Sequence, residues 1–199
     1  FRRAGVRGIL ANSRPNDGTR ALVSAGAEGL AVVPFLRPYR HRTDVQTWFD
    51  DPTIPPFIAR EFPRARYAGI GEFHVFGRGA TTEVVHEVVA FAVGHGLALF
   101  AHCDIEALDH LLRADEAPVD LVICDLLMPV MDGLTFCNKM RRDIRLKSRH
   151  VPILLLTAVT DDLVLQVARQ VGAIDVVNKP IAAPELGKRI EKLIGIKLH

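Results

Sequence analysis

Short apolar runs return along the whole chain, spaced so that about one helix fits between each pair. Seven of them read as strands: Gly8–Ala11, Leu30–Phe35, Ala68–Val75, Leu97–His102, Leu121–Asp125, Ile153–Thr157 and Ile174–Asn178. They are rich in Val, Ile and Leu and apolar on both faces, as strands covered by helices on either side are. The intervening segments Thr81–Val93, Ile105–Arg113, Leu134–Arg142, Asp161–Val171 and Ala183–Ile194 have helix length, with start signals at Thr81 or Thr82, Asp104 and Thr160. Gly94, Gly172 and Gly195 stand where a left-handed cap would end a helix. Strand and helix alternating from end to end predict a parallel α/β fold of (βα)n type with about seven strands. A closed (βα) barrel uses eight, so the expectation is a TIM-barrel-like or incomplete barrel, or an open doubly wound sheet, around a single fused core. Arg37–Pro63 breaks the rhythm with five prolines and the sole tryptophan, Trp48, and reads as a long loop with a short helix.

Composition sets limits. A chain of 199 residues that is 49% hydrophobic buries a core without disulfides or a structural metal. The net charge of +2 argues against a nucleic-acid or anionic-membrane surface. The longest apolar stretch, Val84–Ala101, is interrupted by His86, Glu87 and Gly94-His95-Gly96, so it is no membrane span, and no signal peptide is visible. Three cysteines, Cys103, Cys124 and Cys137, lack CxxC spacing and fit a reducing, cytoplasmic setting. The chain opens at Phe1 and closes on Leu198-His199, which reads as the stub of a tag on a recombinant protein.

Ligands of parallel α/β folds meet the carboxyl ends of the strands. The residues placed there are Asn12, Arg37, Glu72 with His74, His102 with Asp104, Asp125, Thr157 and Lys179. The last three form the best-defined group, a carboxylate, a hydroxyl and an ammonium at three neighbouring strand ends. Such a set serves phosphoryl transfer, with Asp125 as nucleophile, Lys179 holding one phosphoryl oxygen and Thr157 donating a hydrogen bond to another.

From about Val119 to Ile194 the motif Asp125…Met128-Pro129…Asp132-Gly133, followed by Thr157-Ala158 and Lys179-Pro180, resembles the receiver domain of response regulators, a flavodoxin-like fold of the bacterial phosphorelay. The resemblance implies Asp125 as phosphoacceptor, Mg²⁺ as cofactor and a histidine kinase as partner. Receivers open with a strand ending in an acidic pair that holds Mg²⁺, and that strand, its helix and the next strand and helix are not recognisable ahead of Val119. Val176 stands where receivers carry an aromatic residue.

The first part resembles something else. Tyr67-Ala68-Gly69-Ile70-Gly71-Glu72-Phe73-His74, a helix, and then Gly96-Leu97-Ala98-Leu99-Phe100-Ala101-His102-Cys103-Asp104 resemble middle βα units of metal-dependent amidohydrolase barrels, over residues 1–118. That resemblance implies His102 as a metal ligand and Glu72 as a nearby or bridging one, with Zn²⁺ as the ion. The bland reading makes both of them hydrogen-bonded residues at a barrel rim.

Residues 114–119 read as a junction between the two parts, 1–118 and 119–199, folded together as one domain. The expectation is therefore an engineered or recombined chimeric scaffold with no evolved catalytic activity, in which Asp125 is a vestigial phosphoacceptor beside Thr157 and Lys179. No cofactor is required under this reading. Two alternatives compete: a Mg²⁺-dependent phosphoacceptor with Asp125 as the phosphorylation site, and a metal-dependent hydrolase using His102 and Glu72. Asp104, next to His102, is a candidate second carboxylate for Mg²⁺ at Asp125, against a plain helix-capping role. Expected partners are neither nucleic acid nor membrane. A homodimer covering an open sheet edge is possible, and a histidine kinase is expected only for the phosphoacceptor.

Overall fold

The computed structural model describes residues 8–26, 29–114, 120–128, 131–144 and 150–195. Most of the junction expected at residues 114–119, Pro129 of the receiver motif and the terminal Leu198-His199 lie outside them. The chain divides into two compact units, residues 1–117 and 118–199.

In the first unit four strands, β1 (Gly8–Ala11), β2 (Ala31–Leu36), β3 (Gly69–Val75) and β4 (Ala98–Cys103), form a parallel sheet in sequential order. Its helices are α1 (Asp17–Ala25), α2 (Ile54–Glu61), α3 (Glu83–Gly94) and α4 (Ile105–Leu111). Helix α3 buries Val84, Val85, Val88, Val89 and Ala92, a single face at helical spacing. That face shares a core with Leu36, Ile70, Phe73 and Val75 of the sheet and Ile54 and Ile58 of α2. The proline-rich segment is part of this core rather than a surface loop. Tyr39 and Trp48 are wholly buried, and two 3-10 turns, Arg42–Gln46 and Trp48–Asp50, lead into α2.

The second unit holds β5 (Val122–Asp125), β6 (Ile153–Thr157) and β7 (Asp175–Asn178), parallel and in sequential order, with α5 (Gly133–Arg142), α6 (Asp162–Gln170) and α7 (Ala183–Ile194). The middle strand buries Ile153, Leu154 and Leu155 in succession. Helix α5 packs Phe136, Cys137 and Met140.

All seven expected strands are present and parallel. Their pairings end at β1 and β4 in one sheet and at β5 and β7 in the other, so the described strands close no barrel, and the TIM-barrel expectation is corrected. Helix starts follow the capping chemistry: Thr82, Asp104, Asp132 and Asp161 each accept a first-turn N–H. At α6 the cap is Asp161 rather than Thr160. Gly172 and Gly195 take positive φ as expected, whereas Gly94 stays inside α3 and Gly96 makes the turn with φ +63°.

Candidate functional site

Asp125 ends β5, where it pairs in register with Leu156 of β6, and Thr157 pairs with Asn178 of β7, one residue before Lys179. The register thus brings to one end of one sheet three polar residues, of which the first and last, Asp125 and Lys179, are 54 positions apart in sequence. Lys179 Nζ donates to Asp125 Oδ2 at 2.7 Å, with 40% and 41% of the two side chains exposed. Leu127 N–H approaches the other oxygen, Oδ1, at 3.3 Å. Partial burial pushes the Asp125 carboxyl upward, but the hydrogen bonds from Lys179 and from the backbone N–H groups of Leu127 and Leu126 hold it below the usual range. Thr157 is fully buried, and its Oγ1 accepts the Val159 N–H at 2.9 Å, which leaves its O–H free to donate.

A close approach explains Gly133 in the motif. Gly133 N–H donates to Leu126 O at 2.8 Å, and a Cβ on Gly133 would stand 2.7 Å from the carbonyl oxygen of Asp125. Only glycine lets α5 begin so near the end of β5.

A second group lies at the carboxyl ends of β2, β3 and β4. Between Gly71 and Phe73 the β3–β4 register slips, so Glu72 sits in a bulge and His74 stands opposite His102. Gly71 allows this with φ +138°, at a place where a Cβ would lie 2.2 Å from Phe100 O. The imidazoles of His74 and His102 stack with centroids 4.8 Å apart. Glu72 Oε1 contacts His102 Nε2, and its Oε2 accepts from Arg37 Nη2 at 2.9 Å. Arg37 also donates through Nε to Glu72 O, and its own backbone is held by Asn16. His74 Nδ1 meets the Tyr39 hydroxyl at 3.2 Å, and that hydroxyl accepts the His74 N–H at 2.7 Å. Burial lowers the His74 pKa, the His102 ring adds to this, and Glu72 opposes it. Sequence reasoning singled out Glu72 and His102 here. His74 was placed at the strand end without a role, although its two-residue spacing from Glu72 puts both on one face of β3.

Asp104 caps α4, accepting the Ala107 N–H at 2.8 Å, while both of its oxygens take the Gly77 N–H at 3.0 Å.

Residues 86–191 match the family model of the response regulator receiver domain, more than half of the chain. A 93-residue stretch is 40% identical to the cyclic di-GMP phosphodiesterase response regulator RpfG of Xanthomonas campestris, covering 46% of this chain and 24% of that protein. Another, of 82 residues, is 38% identical to the sensor histidine kinase TmoS of Ectopseudomonas mendocina, covering 41% and 8%. The receiver domain of the Francisella response regulator 1452 is similar at 18% identity over 61% of this chain and 94% of that one, with a TM-score of 0.41. The chain thus spans a quarter or less of the two curated relatives' lengths.

The family match overturns the chimeric-scaffold reading. It runs without a break across residues 114–119, where a splice was expected, and takes in α3 from His86, β4 and α4. Of the two runs that resemble amidohydrolase units, Gly96–Asp104 falls inside the matched residues. In chain order a helix, a strand and a helix precede β5 here, as they precede the acceptor strand in receivers.

Proposed function

The chain belongs to the response regulator receiver family, and from that premise we propose that Asp125 accepts a phosphoryl group from a phosphohistidine donor, a histidine kinase. The observation that carries this reading is the 2.7 Å contact between Lys179 Nζ and Asp125 Oδ2, reaching across the end of β6 from β7 to β5. An Asp125 oxygen attacks phosphorus, the P–N bond to the donor imidazole breaks with its electron pair going to nitrogen, and an acyl phosphate forms. Lys179 transfers its hydrogen bond from the carboxylate to a phosphoryl oxygen, and the Thr157 hydroxyl donates to a second.

The donor set fits Mg²⁺. Asp125 Oδ1 accepts the Leu127 N–H at 3.3 Å on a side chain that is 41% exposed, and Mg²⁺ is commonly held by one or two carboxylates with waters and substrate oxygens completing its shell. When bound, Mg²⁺ offsets the repulsion between the acceptor and the phosphoryl oxygens.

A cytoplasmic setting and a second copy of the chain covering a sheet edge belong to the same proposal. No helix among the described residues is long and apolar enough to cross a membrane. The test is incubation with acetyl phosphate and Mg²⁺, followed by intact-mass measurement. One phosphoryl group per chain, labile to alkali and to hydroxylamine and absent from Asp125→Asn, is the expected result. Labelling unchanged in Asp125→Asn, or no labelling with either acetyl phosphate or a panel of phosphorylated kinases, would overturn it.

A further inference from the structure

The Glu72, His74 and His102 side chains offer one carboxylate oxygen and two imidazole nitrogens within 4.8 Å of one another, and they form the one such cluster among the described residues. We infer that these three residues bind a first-row divalent ion of the zinc class, by a chemistry distinct from that of the phosphoacceptor.

Two of the three side chains, Glu72 and His74, are oriented by groups outside the trio. Arg37 occupies Glu72 Oε2 and is itself fastened by Asn16, so Oε1 remains for the ion. The Tyr39 hydroxyl engages His74 Nδ1, which leaves Nε2. That hydroxyl is fixed by the His74 N–H, and Trp48 Nε1 donates to His74 O at 2.7 Å, so the ring is anchored through both its own backbone and the buried core. Hydrogen-bonded outer groups of this kind orient metal-binding histidines. His102 Nε2 lies against Glu72 Oε1. These two atoms therefore already face each other, and an ion between them takes the place of their direct contact.

The donor types choose the metal. Two imidazoles and a carboxylate suit zinc, cobalt, nickel or iron, whereas Mg²⁺ and Ca²⁺ take oxygen shells. Three protein ligands leave at least one position open, and the His102 side chain, 53% exposed, opens that position to solvent. Water or a small anion completes the shell there, and the adjacent Arg37 guanidinium favours the anion.

The test is Co²⁺ titration of the metal-stripped full chain, following visible d–d absorption and metal stoichiometry, with Zn²⁺ as competitor. One equivalent of Co²⁺ displaced by Zn²⁺ is expected, with binding lost in His74→Ala and in His102→Ala. Tyr39→Phe keeps every ligand and should weaken affinity about 10- to 100-fold. Asp125→Asn should still bind one equivalent, so failure of the phosphoacceptor reading and failure of this one give different results. His102 is half exposed, which keeps the test open should His74→Ala fail to fold. No saturable site, or a site that survives both His102→Ala and Glu72→Gln in a folded chain, would show adventitious binding at other histidines and overturn the inference.

Discussion

In the proposed phosphotransfer, Lys179 is the residue on which the chemistry turns. Its ammonium is the closest partner of Asp125 and the largest of the influences that lower the acceptor's pKa. Removing a fixed donor aimed at developing charge costs about 100- to 1,000-fold in rate. Lys179→Ala should therefore slow acetyl-phosphate labelling of Asp125 by that order, and the Asp125 carboxyl carbon resonance should titrate at higher pH. An unchanged labelling rate would mean that the ion pair only ties strand ends together. Thr157 differs because its side chain is buried and its oxygen already accepts from Val159. Thr157→Val keeps the shape, and its expected effect is a smaller loss in labelling together with loss of the Val159 hydrogen bond.

At the scale of elements, the start of α5 and the core role of residues 37–63 set the next two predictions. Gly133→Ala places a methyl 2.7 Å from Asp125 O, so α5 must shift away from β5, and overpacking of this kind costs about 1–3 kcal/mol. Chemical denaturation should show that loss, along with slower labelling, because the displaced atoms belong to the acceptor residue. Trp48→Ala empties a fully buried site and leaves the His74 carbonyl without its indole donor, for a loss of about 3–5 kcal/mol. The sequence carried the strands well: all seven lie within about a residue of the apolar runs, because a buried parallel strand is written as an unbroken Val, Ile and Leu segment. Helix α1 escaped notice because its single buried residue is Thr19, so no apolar stripe announces it. Trp48, Ile54 and Ile58 could not be placed in a core because prolines hide any period. Asp125, Thr157 and Lys179 were legible as strand-end chemistry. The pairing of His74 with His102 was not, since it depends on a bulge at Glu72 that shifts the register by one.

For the whole molecule, several shifted groups act in the same sense at each end of the pH scale. Hydrogen bonds from Thr53 and Arg40 draw Asp51 down to about 2 from 3.8. Asp44 is pushed up by burial, but Arg40 and the His41 N–H bring it below its ordinary value. The unfolded chain binds more protons than the folded one between the two pKa values of each carboxylate, so both contributions are full above about pH 4 and fade as acid approaches pH 2. On the alkaline side burial raises the Cys137 thiol to about 11 from 9.0 and also raises the Tyr39 and Tyr67 hydroxyls above their ordinary 10.0. There the folded chain keeps protons that the unfolded one gives up, so stability falls as pH rises past about 9. The midpoint of thermal unfolding should accordingly hold a plateau near neutral pH and drop on both sides. Arg40→Ala is expected to flatten the acid limb while leaving the alkaline one in place, and Cys137→Ala should do the reverse once its packing cost is subtracted. An acid limb that stays as steep in Arg40→Ala would transfer the dependence to other carboxylates and dissolve the role given to the Arg40, Asp44 and Asp51 cluster.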